Sequence, residues 1–485
     1  MPSPLPPPLL RELPADLETP VSVYLKLAGA APSFLLESVT GGERLARYSF
    51  IGVDLTHACV LRGDTLEEHT PQGVTRHPRG SADSPLEGLR TTLERHRPQE
   101  LSGLPRFSGG LVGYLGYEAV RFFEPHSLPI QPHPALPDGI FLLADTLVAY
   151  DHAFGRLVLI ANPRRENGNP QREAAARLDA IEARLRSPLN ARPLALPQGE
   201  PLPMQANIPR RAFLQAVERA KEHIAAGDTF QIVLSQRLEA ETGAEPFQIY
   251  RTLRHLNPSP YMFYFDFGTL ATTEPFRLIG ASPEMHVRLE RGIAAVRPIA
   301  GTRPRGRTPE ADLALQEDLL ADPKERAEHV MLVDLARNDL GRVCAYGSVH
   351  LRERMVVERY SHVMHIVSHV EGRLRPEYDV FDLLAATFPA GTVSGAPKIR
   401  AMQCIHELEP EPRGPYAGVV GYVSFDGSMD TCIAIRTLQM LGRRLSVQAG
   451  AGIVADSDPQ REYEETLNKA RALSAAVQQA EGVPC

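Results

Sequence analysis

Short apolar runs separated by turn residues dominate the first part of the chain and predict β-strands. Phe34 to Val39 and Tyr48 to Val53 are two such runs, and Phe141 to Tyr150 and Leu157 to Ala161 are two more. Phe107 to Tyr117 carries several glycines among apolar and aromatic residues, which indicates close backbone approach or bulges rather than a helix. We therefore expect the first part to consist mainly of strands and turns.

Apolar residues recur at helical spacing in the second part, between further strand-like runs. One helical stripe ends at Gly227 and consists of Phe213, Val217, Ala220 and Ile224. Two later helices are predicted to begin at Asp322-Pro323 and Asp458-Pro459, because aspartate is a good N-cap and proline suits the first helical position. Strands outnumber helices along the whole chain, so we predict the α+β class.

A proline-rich segment separates the two parts. Residues 188–210 contain prolines at 188, 193, 197, 201, 203 and 209 and show little periodicity, which is typical of a linker. We therefore predict an N-terminal domain over 1–187, a linker over 188–210 and a second domain over 211–480.

Composition excludes several classes of protein. Of the 485 residues, 43% are apolar and 23% are charged, which argues against disorder and coiled coil. No stretch approaches the ~18 apolar residues of a membrane helix, and a net charge of −7 gives no sign of a nucleic-acid surface. The five cysteines form no C-x-x-C pair, and the N-terminus lacks the features of a signal peptide. We expect a cytoplasmic protein that binds neither nucleic acid nor membrane.

Two predicted helices each carry a pair of carboxylates one turn apart. The pairs are Glu325 with Glu328, and Glu462 with Glu465. Taken alone, such pairs are most often solvated helix faces, and the helix dipole favours carboxylates in a first turn. If the two helices meet across a cleft, however, one or two carboxylates, waters and an anionic substrate would suit Mg²⁺. The sequence leaves both interpretations open.

Two glycine-containing segments could bind an anion. Gly450-Ala451-Gly452 follows a strand-like run and is predicted to form a turn with accessible backbone N–H groups. It mimics a dinucleotide fingerprint but lacks the required βαβ context, which disfavours a nicotinamide enzyme. Gly391 to Lys398 leads into a helix beginning near Pro397, where hydroxyls, N–H groups and a lysine suit a carboxylate or phosphate. An ordinary capped helix explains that segment equally well.

In their order along the chain, these segments resemble motifs of the chorismate-utilising enzymes, and within that family those of its anthranilate-forming branch. The matching motifs cover most of the chain and are Leu35-Leu36-Glu37-Ser38, Gly227 to Gln231, Asn257 to Met262, Gly280 to Glu284, Arg297 to Arg303, Glu328-His329, Asp334 to Leu340, Gly391 to Lys398, Asp430 to Arg436, and Gln448 to Gly452 with Glu462 and Glu465. Each motif is weak alone, but their joint order is specific. The resemblance implies a large mixed or antiparallel β-sandwich core flanked by helices.

The resemblance also implies a reaction and a set of site residues. Chorismate and ammonia would give anthranilate and pyruvate, the first step of tryptophan biosynthesis, with feedback inhibition by tryptophan. Mg²⁺ would be held at Glu328 and Glu465, with Glu325 and Glu462 beside them. The implied catalytic residues are Glu284, which would protonate the departing 4-hydroxyl, His365, which would serve pyruvate elimination, and Thr392 and Lys398. The implied substrate contacts are Gly301, Thr302, Tyr416, Arg436, Gly450, Ala451 and Gly452.

Two positions separate this chain from other branches of the family. Gln231 stands where isochorismate and salicylate synthases have a lysine that activates water. Ala300 stands where aminodeoxychorismate synthases have a nucleophilic lysine. The chain also lacks the Gly-x-Cys-x-Gly elbow of an amidotransferase. The resemblance therefore implies that a separate glutamine amidotransferase subunit delivers ammonia, in a heterotetramer.

The same resemblance implies a tryptophan site in the first part of the chain. Its residues would be Glu37, Ser38, Pro260, Tyr261 and Met262. An ordinary buried strand also explains Leu35 to Val39, although the polar pair Glu-Ser is unusual in a buried strand. Two other functions remain open. One is an aminodeoxychorismate synthase component, and the other is a non-catalytic relative that only binds an amino acid.

Overall fold

A computed structural model of the chain describes residues 5–29, 32–39, 47–78, 86–125, 130–165, 169–191, 193–194, 202–360 and 363–482. The described α-helices are Pro20–Leu27, Glu87–Arg95, Val120–Phe123, Pro170–Leu185, Arg210–Ala225, Pro246–Leu256, Pro309–Ala321, Pro323–Gly341, Val380–Thr387, Lys398–Leu408 and Pro459–Glu481. We call Pro323–Gly341 the Glu328 helix and Pro459–Glu481 the C-terminal helix.

The strands in the first part of the chain are β1 (Leu9–Pro14), β2 (Ser33–Glu37), β3 (Tyr48–Gly52), β4 (Ala58–Arg62), β5 (Thr65–Thr70), β6 (Gly73–Pro78), β7 (Gly110–Leu115), β8 (Gly139–Ala144), β9 (Thr146–Asp151) and β10 (Arg156–Ala161). Those that follow are β11 (Gln205–Ala206), β12 (Gln231–Glu241), β13 (Tyr261–Gly268), β14 (Phe276–Ser282), β15 (Met285–Glu290), β16 (Ile293–Val296), β17 (Ile299–Pro304), β18 (His350–Arg359), β19 (Val363–Arg373), β20 (Gly395–Ala396), β21 (Val419–Ser424), β22 (Met429–Ile433), β23 (Thr437–Leu441) and β24 (Arg444–Ile453).

The described strands form two sheets of 12 strands each. The first sheet has the order β1-β10-β9-β3-β2-β13-β14-β23-β24-β12-β11, with β20 also paired to β12. The second has the order β17-β19-β16-β15-β22-β21-β7-β8-β4-β5-β6, with β18 also paired to β19. Neighbouring strands run antiparallel, as β12 does beside β24 and β7 beside β21. The predicted α+β class with a large antiparallel sandwich is confirmed.

The core lies between the two sheets and is rich in aromatic side chains. Phe263 and Phe265 of the first sheet share one buried cluster with Tyr114 and Tyr422 of the second. Helices cover the outer faces, so many strands are buried on both sides and appear in the sequence as continuous apolar runs. Within the described residues, no helix is both long enough and apolar enough to cross a membrane.

The predicted helix starts are confirmed. The Asp322 side chain accepts hydrogen bonds from the backbone N–H groups of Lys324 and Glu325, and Asp458 accepts one from Arg461. Each helix then has proline at its first turn, where a missing N–H costs nothing.

The prediction of one strand from Phe141 to Tyr150 is wrong. β8 ends at Ala144 and β9 begins at Thr146, and the two strands belong to different sheets. Between them, the buried Asp145 carboxylate pairs with Arg164 at 2.5 Å and with Arg177 at 3.0 Å. The run looks like one strand because the residues on both sides of Asp145-Thr146 are apolar and buried.

Strands from either side of the proline-rich segment pair with each other in both sheets. β2 lies beside β13 in the first sheet, and β7 lies beside β21 in the second. The segment 188–210 lies partly outside the described residues. The division at 1–187 and 211–480 stays a prediction.

Candidate active site and a second pocket

Two site residues lie where the chain crosses from one sheet to the other. Glu284 stands between β14 of the first sheet and β15 of the second, and Arg436 stands between β22 and β23. The crossings are hydrogen-bonded to each other, since Ala281 N donates to the Arg436 carbonyl at 3.0 Å and Ile433 N donates to the Glu284 carbonyl at 3.1 Å. Arg436 has a φ of 50°, a strained backbone conformation of the kind that clusters at functional sites.

The carboxylates of the two helices face a common space. Burial raises the pKa of Glu328, and the negative charges of Glu325 and Glu465 raise it further. Burial also raises the pKa of Glu462, again with a contribution from Glu465. Charges on one helix thus act on the other, which indicates that the two helices lie close together, although the Glu465 side chain itself remains exposed.

This donor set fits a hard divalent cation. Carboxylates that repel one another across a cleft are stabilised by a cation between them, and oxygen is the ligand that Mg²⁺ prefers. The described residues contain no group of three or more His, Cys, Asp or Glu side chains arranged to hold a metal. A Mg²⁺ ion held by only two carboxylates would keep its other coordination positions for water and substrate oxygens.

The cleft beside these carboxylates has a volume of about 400 Å³ and contains both positive and negative side chains. It is lined by Arg436, Arg461, Glu464, Glu465, Asn468 and Lys469. Burial lowers the pKa of Arg436, so the guanidinium would gain from an anionic ligand. Lys469 donates to the Gly450 carbonyl at 2.8 Å and pairs with Glu465 at 2.7 Å.

Gly450, Ala451 and Gly452 do not form the predicted turn. They are extended residues of β24, paired with Ser235, Leu234 and Val233 of β12. Glycine is required there by close packing. A Cβ at position 450 would lie 2.6 Å from the Tyr416 hydroxyl, and one at 452 would lie 2.6 Å from Nε2 of Gln231. The segment thus lets two polar side chains approach the strand.

Gln231 lies on β12 next to the Glu328 carboxylate. Its Nε2 donates to Oε1 of Glu328 at 3.1 Å. This bond supports the ionised form of Glu328 and orients it, but an amide cannot remove a proton from water.

The Glu284 carboxyl group is the clearest candidate for a proton donor. Burial raises its pKa to about 7, and the Thr392 hydroxyl and the Lys469 ammonium only partly oppose that effect. Glu284 and Thr392 line the same small cavity, with Thr392 in the 3₁₀ turn Gly391–Val393. A carboxyl group of this pKa is protonated in a large fraction of molecules near neutral pH.

His365 on β19 is oriented by its neighbours on β17. Its Nδ1 lies 2.9 Å from the Gly301 carbonyl and 3.1 Å from the Thr302 hydroxyl. A carbonyl only accepts, so Nδ1 carries a proton and Nε2 is the basic nitrogen of the neutral ring. Burial lowers the pKa of His365, which favours that neutral form. Gly301 has a φ of 70° at a bulge between Ala300 and Thr302, a conformation that favours glycine.

Lys398 occupies a different place from the other predicted site residues. Its ammonium lies 2.8 Å from the Asp339 carboxylate and 3.2 Å from the Thr387 carbonyl, in a buried ion pair. Asp339 lines the cavity that contains Glu284 and Thr392. Lys398 therefore supports the wall of that cavity through Asp339.

A second pocket collects all the residues predicted to bind an amino acid. Its lining includes Glu37, Ser38, Pro260, Tyr261 and Met262. β2 and β13 are neighbours in the first sheet, and Glu37 is opposite Met262, which explains how distant motifs meet. The Glu37 carboxylate is buried and accepts hydrogen bonds from Tyr250 and Arg254, at 2.5 and 2.9 Å.

The same pocket has a charged region that sequence analysis missed. Arg288 donates to Asp430 at 2.8 Å, Arg106 lies 3.6 Å from the same carboxylate, and Tyr261 donates to it at 2.9 Å. Two guanidinium groups facing one carboxylate leave net positive charge, which suits an anionic group. β15 links this pocket to the cavity that contains Glu284, because Glu284 directly precedes β15 and Arg288 lies on it.

Lys469 and the Arg288–Asp430 pair were missed because little in the sequence marks them as functional. Lys469 follows Glu465 by one helical turn and looks like half of an exposed i,i+4 pair. Arg288 and Asp430 are paired across β15 and β22, a register that only the sheet reveals.

Comparison with known proteins is consistent with this geometry. The model of the chorismate binding enzyme family matches residues 32–475. Anthranilate synthase component 1 of Synechocystis sp. is 49% identical over 97% of this chain and 96% of its own length. Anthranilate synthase component 1 of Pseudomonas aeruginosa is 49% identical over 98% of this chain and 96% of its own.

Solved structures show the same fold. Anthranilate synthase component I of Streptococcus pneumoniae superposes with a TM-score of 0.79 at 38% identity, covering 95% of this chain and 99% of that one. The menaquinone-specific isochorismate synthase of Escherichia coli gives a TM-score of 0.72 at 22% identity, covering 98% and 96%. At that identity the second likeness concerns the fold alone.

Proposed function

The chain belongs to the chorismate binding enzyme family, and we propose that it converts chorismate and ammonia to anthranilate and pyruvate. This conclusion rests on 49% sequence identity to anthranilate synthase component 1 proteins over nearly the full length of the chain. The cleft described above fits a small anion, because Arg436 and Lys469 contribute positive charge to its lining. The reaction would start tryptophan biosynthesis.

We infer that the reaction has two steps and that a different residue of the chain serves each step. Ammonia forms a bond to ring carbon 2 while the 4-hydroxyl departs as water, and Glu284 supplies the proton to that oxygen. His365 then moves the proton from carbon 2 as the enolpyruvyl group leaves as pyruvate, which restores the aromatic ring. Arg436 would hold a substrate carboxylate, with Tyr416, Thr392 and the close-packed β24 backbone completing the pocket.

Glu328 and Glu465 would hold Mg²⁺, with Glu325 and Glu462 beside them. When bound, the cation supplies charge neutralisation for the substrate carboxylate and the departing oxygen. The chain's contribution would be to place the two helices so that their carboxylates lie close together, and the effect of the Glu465 charge on the pKa of Glu328 supports this arrangement.

Two residues support amination at carbon 2 over the alternatives. Gln231 bonds Glu328 and cannot act as the base that isochorismate formation requires. Ala300 is buried in β17 and has no nucleophile, which disfavours the route to aminodeoxychorismate.

The test is an assay of the purified chain with chorismate, Mg²⁺ and ammonium chloride at alkaline pH. We expect anthranilate, recognised by its fluorescence, and pyruvate in equal amounts. An aminodeoxychorismate or isochorismate product would overturn the proposal, and binding of tryptophan without any turnover would identify a non-catalytic relative.

We expect no turnover when glutamine replaces ammonium. The relatives are named as component 1, which implies a further component, and the sequence has no amidotransferase elbow. We propose that a glutamine amidotransferase subunit delivers ammonia in a heterotetramer. Glutamine-dependent turnover by this chain alone would contradict the prediction, and adding such a subunit should restore glutamine use.

We propose that the second pocket binds tryptophan as a feedback inhibitor. Its apolar walls suit an indole ring, and the positive region around Arg288 and Arg106 suits a carboxylate. The phenyl ring of Ser38→Phe would fill this space. We expect that variant to lose tryptophan inhibition, measured as the shift of the half-inhibitory concentration, while keeping its activity without tryptophan. Ser38→Ala is the control, and equal sensitivity of Ser38→Phe and the parent would remove Ser38 from the site.

His365→Met should separate the two steps. Methionine fills a similar space but carries no proton, so amination should continue while the aminated intermediate, still bearing its enolpyruvyl group, accumulates. Chromatography of the products measures this. His369→Met is the matched control, since His369 lies four residues along the same strand and contacts Glu371 instead. Slower anthranilate formation with no intermediate would reject the assigned role of His365.

A further inference from the structure

A buried arginine outside both pockets joins the elements that build the active site. The Arg413 side chain is 1% exposed. Its Nη1 donates to the Val393 carbonyl at 2.7 Å, and its Nη2 donates to the Val233 carbonyl at 2.7 Å. Val393 ends the turn that carries Thr392, and Val233 follows Gln231 by two residues on β12. One guanidinium thus fixes the Thr392 turn relative to the strand that carries Gln231.

The Glu409 carboxylate holds this guanidinium in a fork-to-fork arrangement. Nε of Arg413 lies 2.8 Å from Oε2, and Nη2 lies 2.6 Å from Oε1. Oε1 also accepts hydrogen bonds from the backbone N–H and the hydroxyl of Ser235, each at 2.8 Å. Ser235 is opposite Gly450 in the paired strands. The pair therefore also contacts the stretch of β12 that lies under the glycine segment of β24.

The same arginine lies against two tyrosine rings. Its guanidinium carbon is 5.5 Å from the centroid of Tyr416 and 4.7 Å from that of Tyr117. The backbone at this point is also held, since the Glu118 carboxylate accepts from the N–H groups of Arg413 and Gly414, at 2.6 and 2.9 Å. Tyr416 is the side chain whose hydroxyl requires glycine at position 450.

From these contacts we infer that Arg413, held by Glu409, is a positioning residue of the active site: it sets the Thr392 turn, the Tyr416 ring and β12 in register. The inference rests on the proposed function and extends it. Among the described residues, Arg413 is not part of the Glu328 helix, the C-terminal helix or the lining of the cleft. Its effect must therefore pass through Thr392, which lines the same cavity as Glu284, and through Tyr416.

A buried ion pair is not required for stability alone. Taking two charges out of water costs about as much as their attraction returns, and apolar replacements often serve equally well. Rigid and bidentate geometry is what an arginine–carboxylate pair adds. Retaining such a pair next to catalytic groups is consistent with a geometric role, because small misplacements lower turnover strongly.

The test compares Arg413→Lys with the parent chain in the ammonium-dependent assay. Lysine keeps the charge but cannot bond Glu409, Val393 and Val233 together in one plane. We expect kcat to fall by roughly 10- to 100-fold and the KM for chorismate to rise several-fold. Tryptophan affinity, measured by calorimetry, should be unchanged, because the second pocket has no contact with this pair.

Arg177→Lys is the matched control. Arg177 is also a shielded arginine that contacts a carboxylate, Asp145 at 3.0 Å, and a backbone carbonyl, that of Asn162 at 2.6 Å, but it touches no site residue. It should show a comparable loss of melting temperature with kcat and KM unchanged. All assays are run at a temperature at which circular dichroism shows each variant to be folded.

The outcomes separate the inference from the proposed function. If the parent chain makes no anthranilate, the proposed function fails before Arg413 is considered. If the parent is active and folded Arg413→Lys keeps kcat and KM within twofold, the positioning role is refuted. Should Arg413→Lys not fold, Glu409→Gln replaces it, since glutamine keeps the shape and loses the charge. A kcat unchanged in that variant would equally refute the role.

Discussion

Replacing Glu328 with glutamine should abolish Mg²⁺-dependent formation of anthranilate while leaving the fold intact. Glutamine keeps nearly the same volume, so the hydrogen bond from Gln231 can persist. It removes a negative oxygen ligand, and the cation's contribution to charge stabilisation is several kcal/mol. Several kcal/mol corresponds to roughly a 100-fold or greater loss of turnover. Initial rates against Mg²⁺ concentration measure the effect.

Asp334→Asn is the matched control for this change. Asp334 lies on the same helix, is exposed and pairs with Arg337 at 3.0 Å. Its replacement removes one negative charge without touching the cleft, so turnover should stay within twofold. Glu465→Gln should behave like Glu328→Gln, because its charge acts on Glu328 across the cleft. Unchanged turnover of Glu328→Gln at limiting Mg²⁺ would show that the carboxylate is not a metal ligand.

Replacing Glu284 with glutamine should lower the amination rate by on the order of 100-fold, within the range of general acid catalysis. The amide can still donate a hydrogen bond to the 4-oxygen but cannot release a proton as the bond breaks. Single-turnover formation of the aminated intermediate, with His365→Met as background, measures this step alone. A rate equal to that of His365→Met by itself would exclude Glu284 as the acid.

The pH dependence of the parent chain gives an independent test of Glu284. An acid whose pKa is about 7 is protonated below that value, so the amination rate should fall as pH rises through 7. Rates must be compared at constant free ammonia, because ammonium itself loses its proton over the alkaline range. Glu284→Gln should lose this descending limb, and a limb that persisted would have to come from another group.

The same raised pKa predicts how stability responds to pH. The folded chain binds this proton more tightly than the unfolded chain, whose carboxyl has an ordinary pKa of 4.5. The stabilising effect of the protonated group is complete below pH 4.5 and is lost as pH rises through about 7. At pH 8, therefore, Glu284→Gln should be at least as stable as the parent in urea unfolding. Lower stability there would mean that glutamine disturbs the packing.

The sequence determined the elements whose signals are local. The helix starts at Asp322 and Asp458 were predicted correctly, because an N-cap and a first-turn proline act on their own backbone neighbours. The order of many weak motifs along the chain was sufficient to indicate the family. The five residues predicted to bind an amino acid all line the second pocket, although its two arginines, Arg106 and Arg288, were missed. The sequence alone also shows Gln231 and Ala300, the two residues that disfavour the reactions of other branches of the family.

Only the tertiary structure decided how distant segments meet. The sequence left open whether Glu328 and Glu465 lie on separate solvated faces. In the structure Glu328 is partly buried and the Glu465 charge raises its pKa, which indicates that the two helices lie close together. The sequence predicted a turn at Gly450, but this residue lies in β24. It is glycine because the Tyr416 hydroxyl occupies the space that a side chain would need. The change of sheet at Asp145 was also missed.

The physical reason is the same in each case. Periodicity reports which side of an element is buried, and a strand buried on both faces looks the same whichever sheet it joins. Neither periodicity nor propensity reports which partner lies across the interface. Pairings such as Arg413 with Glu409, or Arg288 with Asp430, depend on strand register and helix packing over the whole chain, and those are fixed only when the two sheets close on each other.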